Sequence, residues 1–328
     1  MVCNTTDSPN HTDHLTILEE EIFKSILTIF SFVVLLGNLT MLFGFVLNKK
    51  LRTPKHYLHV NMAASNITLA LIMLGSLYIR INGDILCLFT HSLILVGVYY
   101  HVLSLLSITV ERFIAIKHPF IYAAKVTTRN VIVCIVSSNL LCVTLGVYPL
   151  VKMLITDGDY DGDTEGCHLG EISPVVYAML QVSCMLLILI VMTVLNVRIL
   201  QSVNSSFRFA QSTVPVSTRR KSLLVHTLNK RKIRATMMLS TVIIYHIITW
   251  TPPMITLLLS YIGFNISQLV LISTLTGAYT STTLNSVMYG FVYREYRTTC
   301  VRALCSKIRK NNRKTICHIN SSTTTTYL

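Results

Sequence analysis

Seven long stretches of this chain are apolar and almost free of charge, and no other feature limits its fold so strongly. They run approximately Ile22–Leu47, Tyr57–Arg80, Cys87–Ile116, Val131–Leu154, Ile172–Leu200, Ile233–Tyr261 and Gln268–Phe291. Each reaches the roughly 20 residues that cross a hydrocarbon core of about 30 Å. Lipid offers the backbone no hydrogen-bond partner, so each stretch must satisfy its own N–H and C=O groups, and at these lengths that means a helix. The predicted fold class is therefore all-α, an integral membrane seven-transmembrane helix bundle. Composition agrees: 52% of the residues are hydrophobic and 13% charged, against about a quarter charged in soluble domains.

Lys and Arg beside short loops stay in the cytosol, which orients the bundle. With the N-terminus outside, Lys49, Lys50, Arg52, Lys55, Arg112, Lys117, Lys125, Arg129, the cluster Arg198–Arg234 and the tail Arg294–Lys314 are cytosolic. Lys24, Arg80 and Lys152 alone fall outside, whereas most acids lie there. The net charge of +14 thus reads as a topology signal and as attraction to membrane lipid headgroups, with no nucleic-acid partner. Residues 1–21 are polar and acidic rather than basic then apolar, so no cleavable signal peptide is expected there. The expected organisation is an extracellular tail (1–21), a transmembrane domain (22–291), an amphipathic membrane-surface helix (292–304) and a cytoplasmic tail (305–328). Sequons at Asn4, Asn10 and Asn265 lie on the expected outside and are candidate glycosylation sites.

Of nine cysteines, Cys134, Cys142 and Cys184 sit inside spans and read as small packing residues. Cys3, Cys87 and Cys167 lie outside, where oxidation is possible. A bridge between Cys87 and Cys167 would pin the loop between spans four and five across the bundle mouth, leaving Cys3 over. Cys300 and Cys305 follow the last span and are either palmitoylation sites or free thiols. That same outer loop carries alternating acids from Asp157 to Glu165. It lacks the twelfth-position Glu of a calcium loop and reads as a solvated acidic rim.

The third span ends Glu111-Arg112-Phe113, followed by Pro119-Phe120. An arginine at a helix end near lipid is costly unless paired, and Glu111 is its nearest candidate. Here the chain resembles the rhodopsin-like G-protein-coupled receptors, in which an acid-arginine-aromatic triplet closes this helix. Gly37-Asn38, Trp250-Thr251-Pro252 and Asn285-Ser286-Val287-Met288-Tyr289 resemble further family motifs in order and spacing. The resemblance implies that Glu111, Arg112, Phe113, Pro119 and Phe120 serve coupling to a heterotrimeric G protein. It implies that Asn66, His101, Trp250, Pro252, Asn285 and Tyr289 form an activation switch, with Pro252 as hinge. By the family's geometry an unknown extracellular ligand sits among Ile94, Leu95, Val98, Tyr99, Trp250, Met254, Leu257, Leu275 and Tyr279; each of these could equally be helix packing.

The departures from the family pattern carry information too. Asn66 stands where an aspartate is usual, His101 where a small hydroxyl residue is common, and Ser286 where a proline is. A sodium ion wants anionic oxygen, so a neutral network of Asn66, His101, Ser281 and Asn285 is expected instead, and no metal or cofactor. Lys232 replaces an acid that restrains the arginine in many relatives, which predicts basal signalling. Span four lacks the usual tryptophan, and span five its proline and tyrosine. Ile94 in place of an aspartate argues against an amine ligand, and Tyr279 in place of a lysine excludes a retinal Schiff base. A peptide with basic groups or a small hydrophobic chemosensory molecule fits the remaining pattern. The segment Gln201–Lys230 is polar and reads as a mobile inner loop. Phosphorylation around Ser222 and Ser321–Thr326 would offer charge to an arrestin-like partner. The expected site is the plasma membrane. The rival reading is a transporter or channel, against which stands the lack of an internal repeat or of paired charges at mid-depth; no nucleophile–base pair or metal cluster suggests an enzyme.

Overall fold

The computed structural model describes residues 11–78, 84–155, 175–212, 219–288, and 296, 298, 299, 301 and 302. These residues form α1 (His11–Leu47), α2 (Pro54–Tyr78), α3 (Asp84–Lys117), a short α4 (Pro119–Lys125), α5 (Thr128–Ile155), α6 (Val175–Ser212), α7 (Arg219–Tyr261) and α8 (Gln268–Val287). A single 3₁₀ turn, Lys49–Leu51, joins α1 to α2, its start capped by the Asn48 side chain accepting from the Lys50 amide. Apart from α4, these are the seven predicted helices. Six are apolar and long enough to cross a membrane by length and composition. The seventh, α8, is diluted by serines and threonines, several of which cap its own carbonyls: Ser281 Oγ donates to Ala278 O and Ser286 Oγ to Thr282 O.

Consecutive helices pack around a ring: α1 on α2, α2 on α3, α3 on α6, α6 on α7, α7 on α8, and α8 back on α1, with α5 outside against α3 and α2. Small residues set the closest approaches, as they must where no hydrophobic effect draws helices together. A Cβ on Gly37 of α1 would lie 2.6 Å from the Ser286 carbonyl oxygen of α8, and one on Gly146 of α5 would lie 2.7 Å from the backbone nitrogen of Val96 of α3. The opposite faces present Phe32, Leu36, Leu140, Leu180 and Ile190, each about 60% exposed. On a soluble protein such surface would be a large apolar patch; here it is the lipid face.

Several sequence readings need correction. Residues 201–230 are not one loop: α6 continues to Ser212 and α7 begins at Arg219. Leu, Gln, Lys and Arg in these stretches are good helix formers, so the helices continue beyond the lipid-spanning segment. Likewise α1 starts at His11, before the apolar run. Among the cysteines, Cys142 is buried in the core and Cys184 half-buried, but Cys134 is exposed on the outer face of α5 rather than packed inside.

Candidate functional site

Two apolar layers bracket a polar one. Near the Arg112 end, Met41, Leu51, Leu58, Met62, Leu105, Ile108, Ile243 and Tyr296 form one core cluster. Toward the other end, Tyr99, Val102, Val182, Met185, Trp250 and Met254 form a second, and Leu27, Leu69 and Tyr279 a third. Along each helix a polar residue falls between members of the two layers: Asn38 before Met41, Asn66 between Met62 and Leu69, His101 between Tyr99 and Leu105, His246 between Ile243 and Trp250. These four residues are no more than 1% exposed, so each must find a partner inside.

They find partners in two chains. Asn38 Nδ2 donates to the Val34 carbonyl at 2.8 Å and to Ser286 Oγ at 2.6 Å. Asn66 Nδ2 donates to Asn38 Oδ1 at 3.2 Å, and Asn66 Oδ1 accepts from His101 Nδ1 at 2.8 Å. The second chain centres on Ser281, whose oxygen accepts from Trp250 Nε1 at 3.0 Å and from His246 Nδ1 at 3.2 Å. The His101 and His246 rings lie 5.3 Å apart and both pack on the Trp250 indole, at 6.4 and 5.5 Å between centroids. The expected network thus splits: Asn66 and His101 belong to one chain and Ser281 to the other. Asn285, wholly buried, has neither amide atom paired among the described residues. Asn38, Ser286 and His246 complete the chains; their mid-depth positions were visible in sequence, but their pairing depends on how the helices meet.

Trp250 precedes Pro252 and Pro253 inside α7. Neither proline can donate, so the carbonyls of Ile248 and Thr249 lose their intrahelical partners and α7 is weakened there. The hydroxyls of Thr249 and Thr251 reinforce the preceding turn, donating to Tyr245 O at 2.9 Å and Ile247 O at 2.6 Å.

At the end of α3, Arg112 Nε lies 3.3 Å from Glu111 Oε2. The other carboxylate oxygen, Glu111 Oε1, accepts from the Tyr122 hydroxyl of α4 at 2.8 Å. Tyr122 therefore ties α4 to the acid that holds the arginine, a contact unforeseen in sequence because it joins separate elements. Burial, followed by the neighbouring Glu111 carboxylate, pushes the Tyr122 hydroxyl up to about 12, keeping it a neutral donor. Pro119 opens α4 at its first turn. Phe113 packs edge-on to His118 at 6.0 Å, while Phe120 is 89% exposed.

Of the expected ligand-facing residues, Val98, Tyr99, Trp250, Met254 and Leu257 meet in the second cluster. Tyr279 lies in the third, with Val98 packed against it, and its hydroxyl pairs with Ser31 at 3.1 Å. Ile94 and Leu95 are half-buried, and Leu275 is 41% exposed. The sequence places the fifth span, α6, beside this pocket but singles out none of its residues; α6 supplies Val182 and Met185, and Gln181, whose carbonyl accepts from Tyr99 at 3.4 Å.

A family model for the 7 transmembrane receptor (rhodopsin family) matches residues 37–293. The chain belongs to that family. This rhodopsin-family chain is 26% identical over 308 residues to Melanopsin-B of Xenopus laevis, covering 88% of the chain and 56% of that protein. It is 29% identical over 135 residues to the Muscarinic acetylcholine receptor M3 of Gorilla gorilla gorilla, 38% of the chain and 22% of the relative. It is 24% identical over 136 residues to the Dopamine D2-like receptor of Drosophila melanogaster, 39% and 15%. The chain spans about half, or less, of the length of these relatives. Membership makes the polypeptide a seven-transmembrane receptor rather than the transporter or channel held as the rival reading. Tyr289, Cys167, Asn4, Asn10, Cys300 and Cys305 lie outside the described residues, as do the side chains of Cys87 and Lys232 and most of the expected surface helix. Tyr296, from that segment, is wholly buried and bonds His56 Nδ1 at 2.6 Å.

Proposed function

We propose that the chain receives an extracellular ligand and transmits its binding to a heterotrimeric G protein, with the N-terminus outside and the Arg112 end in the cytosol of a plasma-membrane cell surface. The observation that carries the reading is the held arginine. Arg112 sits at the end of the helix that packs on α2, α5 and α6, paired to an acid that is itself fixed by Tyr122. An arginine paired at the tip of α3 with an acid that the next short helix holds through Tyr122 is a two-state element. It opens when α3 and its neighbours shift, and it then presents a guanidinium to a partner. Phe120, exposed on α4, supplies an apolar contact for the same partner.

The apolar cluster of Val98, Tyr99, Trp250, Met254 and Leu257 lies on the far side of the polar layer from Arg112, where a ligand would load the weakened segment of α7. Its lining suits a small hydrophobic molecule or the apolar side chain of a peptide. A Cys87–Cys167 bridge closes the loop above it, and glycans sit on Asn4, Asn10 and Asn265, the last exposed in the turn between α7 and α8. On the cytosolic side, acyl groups on Cys300 and Cys305, contact with lipid headgroups and a phosphorylated tail engaging an arrestin-like protein complete the reading. With Lys232 in place of a restraining acid, exchange proceeds without ligand. The test is expression with a panel of chimeric Gα subunits, alongside tags on both termini. Ligand-independent nucleotide exchange with at least one Gα, and an N-terminal tag stained on intact cells, are expected. A cytosolic N-terminus would overturn the reading, since Arg112 would then face the outside.

A further inference from the structure

At the Arg112 end, the turn between α1 and α2 and the segment carrying Thr298, Thr299 and Arg302 form the two walls of an open groove of about 360 Å3. Two hydrogen bonds hold the walls together. Asn48 Nδ2 donates to Thr299 Oγ1 at 3.2 Å, and His56 Nδ1 bonds the Tyr296 hydroxyl at 2.6 Å. Lys50 and Lys55 line one wall and Arg302 the other, and no acid lines either. None of these three cations pairs with a carboxylate among the described residues. Like charges gathered without a counter-charge repel one another, so the groove favours an anion. The first turn of α2 also opens here, and the positive end of a helix dipole adds to the same field. Thr53, just ahead of that turn and part of the wall, keeps a hydroxyl with no partner among the described residues, a donor for an oxygen in the groove.

We infer that this groove binds the headgroup of one membrane lipid that carries a phosphomonoester on a polyol, of the phosphorylated-inositol kind. Its size suits a headgroup rather than a lone ion, since small-molecule pockets run about 300–1,000 Å3. Charge narrows the choice further. The phosphodiester of an ordinary anionic lipid brings a single negative charge, whereas a phosphomonoester adds about two near neutral pH, and the two together balance Lys50, Lys55 and Arg302. Arg302 can grip a phosphate through two parallel N–H bonds, with the lysines as point charges. The phosphate comes from a lipid because apolar surface reaches the rim of both walls. Leu47, beside Asn48, is 54% exposed, and Val301, beside Arg302, is 52% exposed, with Phe43 and Val46 exposed further back along α1. Acyl chains lie on that surface while the headgroup fills the basic groove. The inference rests on the headgroup contact proposed above and gives it one site and one chemistry.

The test uses the purified full-length chain in detergent micelles, equilibrated with phosphatidylinositol 4,5-bisphosphate, phosphatidylinositol or phosphatidylserine, with bound lipid counted by native mass spectrometry. Free inositol trisphosphate and inorganic phosphate are run beside them. One equivalent of the bisphosphate lipid is expected, held about tenfold tighter than the other two lipids and than either soluble phosphate. Lys55→Gln with Arg302→Gln should weaken it about twentyfold, at roughly fivefold for each basic residue lost at a membrane surface. Lys125→Gln with Arg129→Gln removes the same charge from α4 and α5 and should change it less than about twofold. Lys50→Gln with Arg302→Gln replaces the first pair should the Lys55 substitution unfold the start of α2. Equal losses in the groove pair and the control pair reduce the contact to general attraction for anionic lipid and overturn the site. A soluble phosphate bound as tightly as the lipid overturns the lipid assignment. A micelle has no sides, so either failure leaves the topology, which the terminal tags test, untouched.

Discussion

Arg112 is the residue on which the account turns, and the groups around it define what its substitution should do. Glu111→Gln removes the charge that holds it, so ligand-independent exchange is expected to rise while Arg112→Ala abolishes it. Tyr122→Phe deletes one hydrogen bond to that carboxylate, a loss of about 1 kcal/mol. Basal exchange should therefore rise roughly fivefold, measured as nucleotide turnover per receptor. The same tyrosine sets a pH expectation. Its folded-state value of about 12 lies above the ordinary one of about 10. The stability it contributes is thus complete below pH 10 and lost only as pH climbs through 12. Ultraviolet difference titration of wild type against Tyr122→Phe should be flat below pH 10; a tyrosinate signal near neutrality would contradict the Glu111 contact. In the interior, Asn66→Leu strands the His101 Nδ1–H and Asn38 Oδ1 in a dry core. It should cost about 1–3 kcal/mol in thermal unfolding.

The helices were legible in sequence to the extent that lipid dictates them. A window of roughly 20 residues either satisfies its backbone alone or cannot cross, so seven spans could be read directly. Their ends could not: α6 to Ser212 and α7 from Arg219 run beyond the lipid-spanning segment, where propensity rather than hydrocarbon governs. The site shows the same division. Glu111, Arg112 and Trp250 announce themselves by type and spacing, whereas Tyr122 and His246 gain their roles from contacts between helices whose register no single segment specifies. Close approach between α1 and α8 is testable at this scale. Gly37→Ala would drive a methyl into the Ser286 carbonyl at 2.6 Å, whereas Gly277→Ala on α8 meets nothing within 4 Å. The first should lower stability by about 1–3 kcal/mol and the second leave the melting temperature unchanged or raised; equal effects would show that α1 and α8 do not pack as described.

Across the whole molecule, two rigid apolar layers flank a hydrogen-bonded layer, and the only doubled proline within a described helix sits where α7 passes through. Such an arrangement lets a load on the Trp250 side tilt α7 while α1, α2 and α3 stay tied through Asn38, Asn66 and His101. In the proposed reading, the ionic latch at Arg112 is the output of that movement. Its most direct test is guanine-nucleotide exchange on a responsive chimeric Gα, comparing wild type with Arg112→Ala at equal surface expression. Exchange above that of untransfected membranes is expected for the wild type, and its loss in the variant. Exchange that survives the substitution undiminished, or a wild type silent toward every Gα in the panel, would contradict that reading.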